Sequence, residues 1–206
     1  MTGAVPDPGK EFADVLAGLG GRRVALVVTG SLSAAFLPYW LNFVEQLPHP
    51  PELRVLLTRS ATGMVSPAVV GALLGREAEI DAWDAVGAGH AAHVELAEWA
   101  EGFLVHPCTF SYLGRVANGL ADTPGQLALQ CSTRPVVLCP ALPPGTLESP
   151  AYRRLRALLD EREDVTVLDP GVGRSAATGR QEGLPPVQFP VALAALATVL
   201  AEGRSR

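Results

Sequence analysis

Five short apolar runs, each followed by a helical stripe, restrict this chain more than any other feature. Arg23-Val-Ala-Leu-Val-Val-Thr29 is apolar on both faces, which marks a strand covered on both sides, as in a parallel sheet. The same reading applies to Leu53–Thr58, Gly102–Val105, Arg134–Cys139 and Asp164–Asp169. Between them lie segments with apolar residues at helical spacing: 34–46, with Phe36, Leu37, Trp40, Leu41 and Val44; the segment holding Met64, Val65, Val69, Val70 and Leu73; 94–100; 113–121; 123–132; 151–161; and 191–202. Strands alternating with helices predict a single α/β domain, a doubly wound parallel sheet of Rossmann-like or flavodoxin-like type with helices on both faces. Residues 77–89 show no period and read as an irregular segment in which Trp83 fills a satellite core.

The turns at the strand ends point to function. The first strand runs into Gly30-Ser31-Leu32-Ser33 and the second into Arg59-Ser60-Ala61-Thr62. A strand, a glycine or hydroxyl turn and a helix start suit a phosphate: glycine permits close approach, hydroxyls donate, and the helix terminus adds positive character. Ser31 as a plain helix cap is the competing reading. In the central stretch, the strand 102–105 ends at His106-Pro107. Cys108-Thr-Phe-Ser-Tyr112 forms the turn, and Gly114 and Gly119 come next at close-contact spacing. In open α/β sheets that carboxyl edge is where ligands bind. His93 opens the preceding helix, where it either caps or reaches the same crevice, and His90 is its rival one turn away. His49, between prolines, reads as loop surface.

Composition excludes several classes. With 16 basic and 21 acidic residues the chain carries a net charge of −5. It has no basic run interleaved with aromatics, so neither nucleic acid nor an anionic membrane is an expected partner. No apolar run reaches membrane-spanning length. The N-terminus lacks the pattern of a secretory signal, so secretion is not expected. Three cysteines without metal-like spacing fit a reducing, cytoplasmic compartment. No metal site is expected.

The order of these motifs resembles the homo-oligomeric flavin-containing cysteine decarboxylases over about residues 22–186. Thr29-Gly30-Ser31 is similar to that family's first flavin-phosphate turn and Thr58-Arg59-Ser60-Ala61 to its second. His93-Val94-Glu95-Leu96 resembles its short histidine motif, and Pro107-Cys-Thr-Phe-Ser-Tyr112 lies where the family has Pro-Ala-Ser-Ala-Asn-Thr. Pro140-Ala-Leu-Pro-Pro-Gly-Thr-Leu147 lies over Pro-x-Met-Asn-x-x-Met-Trp. The resemblance implies a flavoprotein domain over 22–206 behind an N-terminal extension, 1–21. It also implies bound FMN (or FAD) and a homo-oligomer, either a trimer or a dodecamer of trimers.

By the same resemblance, Gly30, Ser31, Leu32, Thr58, Ser60, Thr109, Phe110, Ser111, Tyr112 and Ala141 bind the cofactor. Leu142, Pro143 and Thr146 bind substrate, and His93 and Ser111 are catalytic. Two positions depart from the family. Its carboxylate-holding asparagine falls on Ser111, and its substrate-loop asparagine falls on Pro143, which has neither an amide side chain nor a backbone donor.

The family's chemistry oxidises a cysteine thiol with flavin to a thioaldehyde, so that loss of CO2 leaves a delocalised enethiolate. The branch that serves coenzyme A synthesis uses a cysteine in an Ala-Cys-Gly segment. The matching stretch here is Ser175-Ala176-Ala177-Thr178. That absence favours the peptide-modifying branch (epidermin and mersacidin type). Such an enzyme acts on a precursor peptide ending in cysteine, in the company of other peptide-modifying enzymes. The alternatives are a flavoprotein of the same fold with another activity (phosphopantothenoylcysteine decarboxylation, flavin prenylation or reduction) and a non-catalytic flavin-binding subunit.

Overall fold

The computed structural model describes residues 8–202, with side chains from residue 13 onward. Six strands form one parallel sheet in the order β3-β2-β1-β4-β5-β6: β1 Arg23–Val28, β2 Glu52–Thr58, β3 Glu79–Asp81, β4 Gly102–Thr109, β5 Val136–Ala141 and β6 Val165–Val167. This is the strand order of dinucleotide-binding folds, and the chain reverses direction across the sheet between β1 and β4. The expected five strands are therefore six. The irregular segment 77–89 contains β3, which carries two acids around one apolar residue, Ile80, and so shows no apolar run.

Alternation along the strands builds two cores. Val24, Leu26 and Val28 of β1 face one layer with Leu41, Val44 and the closing helix; Ala25 and Val27 face the other with Leu96, Leu113 and Leu129. The helices are α1 Pro8–Ala17, α2 Leu37–Glu45, α3 Arg59–Thr62, α4 Pro67–Leu74, α5 Ala92–Trp99, α6 Phe110–Ala117, α7 Pro124–Cys131, α8 Pro150–Asp160 and α9 Phe189–Glu202. Of the N-terminal segment 1–21, residues 1–7 lie outside the described residues. The rest includes α1, and Leu16 and Leu19 are buried in the core that α9 shares.

Two helices differ from their sequence patterns. The stripe 34–46 starts as a 3-10 turn, Leu32–Phe36, before α2, with Pro38 in the first turn of the α-helix. The helix through Met64 and Leu74 is two pieces, because Ser66-Pro67 starts a new helix: proline lacks an N–H and suits the first turn.

The third sequence strand runs on past its expected end at Val105. His106-Pro107 is a cis peptide bond, and the β4–β5 ladder breaks there and resumes with Cys108 beside Pro140 and Thr109 beside Ala141. Pro107 has no N–H to give the ladder, but its carbonyl is used. It accepts from the Thr29 backbone N–H (3.2 Å) and from Thr29 Oγ1 (2.8 Å).

Candidate active site

Thr29 directly after β1, Thr58 at the end of β2 and Thr109 at the end of β4 each tie neighbouring elements together. Thr29 Oγ1 donates to Pro107 O and accepts from Thr109 N at 2.9 Å, locking the end of β1 to the end of β4. Thr58 Oγ1 donates to Val28 O (3.3 Å) and accepts from Ala61 N, capping α3. Thr109 caps α6 by accepting from Tyr112 N. The fourth tie is Asp81 at the end of β3. Its Oδ2 accepts from Thr123 Oγ1 (2.8 Å) and its Oδ1 from Gly125 N (2.7 Å), so a buried carboxylate closes the N-terminus of α7. That is the favoured end of a helix for negative charge. Burial still dominates and raises the Asp81 pKa above the usual aspartate value, against the two hydrogen bonds that lower it.

Between these strand ends lies a cavity of about 670 Å3. Gly30, Thr58 and Ser60 line it from β1 and β2, Thr109, Ser111 and Tyr112 from β4 and α6. These are six of the ten residues expected to hold the cofactor. Ser31, Leu32 and Phe110, beside lining residues in sequence, and Ala141, beside Thr109 in the sheet, do not line it. Ser31 accepts from Ser33 N and caps the 3-10 turn, while Leu32 is exposed. The expected substrate residues Leu142, Pro143 and Thr146 also lie off this cavity. Leu142 is buried and paired with Leu184, which fastens the loop 170–186 to the end of β5.

Sequence reasoning missed the opposite wall, formed by Asp81, Ala82, Trp83, Asp84, Asp122, Thr123 and Gln126. Nothing local marks these residues, because the chain brings residues 81 and 125 together only through the sheet order. Trp83 is not a satellite core residue: it is 44% exposed and its indole lines the cavity. His93 stands edge-on to that indole, ring centroids 5.7 Å apart, and does not itself line the cavity. Its Nδ1 is buried with no hydrogen-bond partner among the described residues. His90 is exposed and pairs with Glu95 at 3.2 Å. The rim carries two ion pairs, Arg59 with Asp84 and Arg115 with Asp122 (2.6 Å). The first lowers the Asp84 pKa and raises that of Arg59. Neither buried thiol is poised as a nucleophile, since burial pushes Cys108 and Cys139 well above the usual range.

A flavin mononucleotide fits what these residues offer. The turns after β1 and β2 are pressed together so closely that a Cβ on Gly30 would stand 2.3 Å from the Cβ of Ser60. Gly30, Thr58 and Ser60 line the cavity, so these close-packed turns bring backbone and hydroxyl groups to it together. The Tyr112 hydroxyl, in a residue that lines the cavity, is buried without a partner among the described residues. The volume lies in the range usual for cofactor sites, roughly 300–1,000 Å3.

Known proteins share this architecture. Cypemycin cysteine dehydrogenase (decarboxylating) from Streptomyces sp is 29% identical over 185 residues, covering 90% of this chain and 95% of that protein. The structure of the cypemycin decarboxylase CypD superposes with a TM-score of 0.73 at 26% identity, over 90% of this chain and 97% of that one. That of the FMN-dependent cysteine decarboxylase SpaF gives 0.75 at 24% identity, over 89% and 99%, a likeness of fold. The Flavoprotein family model matches residues 15–185, from the end of α1 through the loop before α9, and the chain belongs to that family.

Proposed function

We propose that this protein is a flavin-dependent peptidyl-cysteine decarboxylase, an oxidative lyase that converts the C-terminal cysteine of a precursor peptide to an aminoenethiol, with FMN as its cofactor. The observation that carries this reading is the likeness along 90% of the chain to the cypemycin enzyme. The cavity at the carboxyl edge of the sheet supports it.

Gly30, Thr58 and Ser60 would hold the phosphate, with Ser31 capping the helical turn beside them. Thr109, Ser111 and Tyr112 would line the remainder. When bound, flavin supplies the two-electron oxidation of the thiol, without which loss of CO2 would leave an unstabilised carbanion.

The chain's own groups do the rest. Ser111 sits in the first turn of α6, where backbone N–H groups lack intrahelical partners. Its hydroxyl and those N–H groups would orient the peptide carboxylate in place of the family's asparagine. His93 would take the proton from the cysteine Sγ, work suited to an imidazole. His93 packs against Trp83 and does not line the cavity of its own chain, which suits a site completed between copies. Leu32, Phe36 and Tyr39 form an exposed apolar stretch directly after the β1 turn, which supports a homo-oligomer, the trimer or its dodecamer. Trp40 and Phe43 contribute little to that face, since Trp40 stacks on Phe189 and both pack against the core.

Incubation of the FMN-loaded protein with a peptide ending in cysteine should yield a product lighter by CO2 and two hydrogens. Yellow protein that leaves such peptides unchanged across varied sequences would refute the decarboxylase reading. Among the described residues no helix is long and apolar enough to cross a membrane.

A further inference from the structure

His93 stands at a helix start that does little to hold its ring. It is the second residue of α5, which begins at Ala92 with no side-chain cap at Ala91. The turn therefore lacks the tie that Ser, Thr, Asp or Asn gives a helix start. The segment before it carries Gly87 and Gly89, the latter at positive φ. The imidazole makes no hydrogen bond or ion pair among the described residues. A proton-transferring imidazole is ordinarily oriented by a partner on its second ring nitrogen. Here the one aromatic neighbour is Trp83, with ring centroids 5.7 Å apart and planes at 70°.

Trp83 is itself held from both sides. Asp81, two residues before it, is buried and accepts from Thr123 Oγ1 and Gly125 N. Asp84, the next residue, pairs with Arg59 in the turn after β2. That pair is exposed and adds little by itself, so the buried Asp81 is the main anchor. Val86 N donates to Trp83 O at 3.3 Å and closes the short turn. The indole is 44% exposed and belongs to neither core layer. Its packing against His93 is therefore not a by-product of filling the interior.

We propose that Trp83 is a positioning residue for His93. Its indole fixes the imidazole by edge-to-face packing, in place of the hydrogen-bond partner that the ring lacks. The inference rests on the reading of His93 as the proton-transferring group. Edge-to-face contact is a favoured aromatic geometry; it restricts the tilt and rotation of the smaller ring and sets no charge beside it. Through Asp81 and Trp83, the order of the sheet edge reaches a side chain that its own helix start leaves loosely held.

The test follows the imidazole directly. In purified protein carrying 13C-labelled histidine, the His93 ring signal is identified by its loss in His93→Asn. Its order parameter is then measured by NMR in wild type, Trp83→Phe and Trp83→Ala. Both exchanges spare the cores, so both variants should fold. The ring should be ordered in wild type and in Trp83→Phe, and fall below about 0.6, the flexible range, in Trp83→Ala. With FMN saturating, kcat on a peptide ending in cysteine should drop roughly ten- to a hundredfold in Trp83→Ala, as expected for a misplaced group. KM should change less, and Trp83→Phe should restore most of the rate. An equally ordered His93 ring in Trp83→Ala would overturn the proposal. If turnover falls while that order persists, Trp83 acts on the ligand and not through His93. Wild-type turnover in His93→Asn would instead refute the proton-transfer reading, independently of how the ring is held.

Discussion

The closest approach in the candidate site makes the sharpest prediction. A Cβ on Gly30 would lie 2.3 Å from Ser60 Cβ, 3.0 Å from Ser60 C and 3.2 Å from Ser60 Cα. Carbon atoms in contact prefer about 3.5–4.0 Å, so in Gly30→Ala the two turns must part by about 1 Å or more. Overpacking of this kind costs roughly 1–3 kcal/mol. The exchange also stiffens the unfolded chain, which returns about 0.4–1 kcal/mol because Gly30 does not use a positive φ. The expected net loss is about 1–2 kcal/mol in urea unfolding of the apoprotein.

Since both turns line the cavity, FMN affinity should fall as well, by roughly tenfold or more. Gly30→Ala combined with Ser60→Gly removes the tightest contact and leaves the two milder ones. The pair should therefore couple favourably by about 1 kcal/mol in a double-mutant cycle of stability. Gly63→Ala is the control, because a Cβ there would meet only Ser60 O at 3.6 Å, an ordinary contact. Gly30→Ala protein that unfolds like wild type and binds FMN equally well would show that the turns are not pressed together as described.

The same geometry predicts three further outcomes. Asp81→Ala leaves the Gly125 N–H and the Thr123 hydroxyl without their acceptor and should cost about 1.5–3 kcal/mol per charged hydrogen bond lost. Asp81→Asn should cost much less. The folded-state pKa of Asp81 is raised, so its contribution is fully present below the ordinary aspartate value and lost as pH rises through the folded value. Wild type should thus lose stability relative to Asp81→Asn as pH rises from below about 3.9, a difference that urea melts across pH would detect. His106 behaves in the opposite sense. Buried, with Nε2 2.8 Å from Val187 O, it has a pKa lowered mainly by desolvation. Stability should be fully present above about 6.5 and fall as pH drops through the folded value, and His106→Gln should flatten that fall in acid urea melts. At the proposed chemistry, Ser111→Ala should lower turnover of a peptide ending in cysteine by roughly ten- to a hundredfold, one hydrogen bond to a charged group. His93→Ala should lower it further and Ser111→Asn should be tolerated. Unchanged turnover in Ser111→Ala would move carboxylate binding to another group, Arg115 first, which lines the same cavity.

The strands that could be read from the chain are those buried on both faces. Val24–Val28 and Val136–Cys139 are apolar without interruption because helices cover them from either side. β3 escaped notice because an edge strand of three residues, Glu79-Ile-Asp81, needs only one apolar side chain. Ser66-Pro67 did mark a helix start. Its signal was overridden by the apolar residues that continue on both sides. In the site, the glycine and hydroxyl turns were legible because turn chemistry is local. Asp81, Trp83 and the α7 terminus were not, since their meeting depends on which strand lies next to which.

The sequence by itself therefore determined the α/β class, the strand-end turns with Gly30, Thr58 and Ser60, and the place of Ser111 in the turn leading to a helix, which the structure begins earlier, at Phe110. These depend on periodicity, on backbone donors and on residues a few places apart. Only the tertiary structure decided that Asp81 closes the N-terminus of α7 from 44 positions away, that His93 packs edge-on against Trp83 while only Trp83 lines the cavity, and that the Tyr112 hydroxyl is buried without a partner among the described residues. Each of these depends on the strand order β3-β2-β1-β4. A local apolar pattern states which face of an element is buried, and the order of the elements states what that face, and the strand end beside it, will meet.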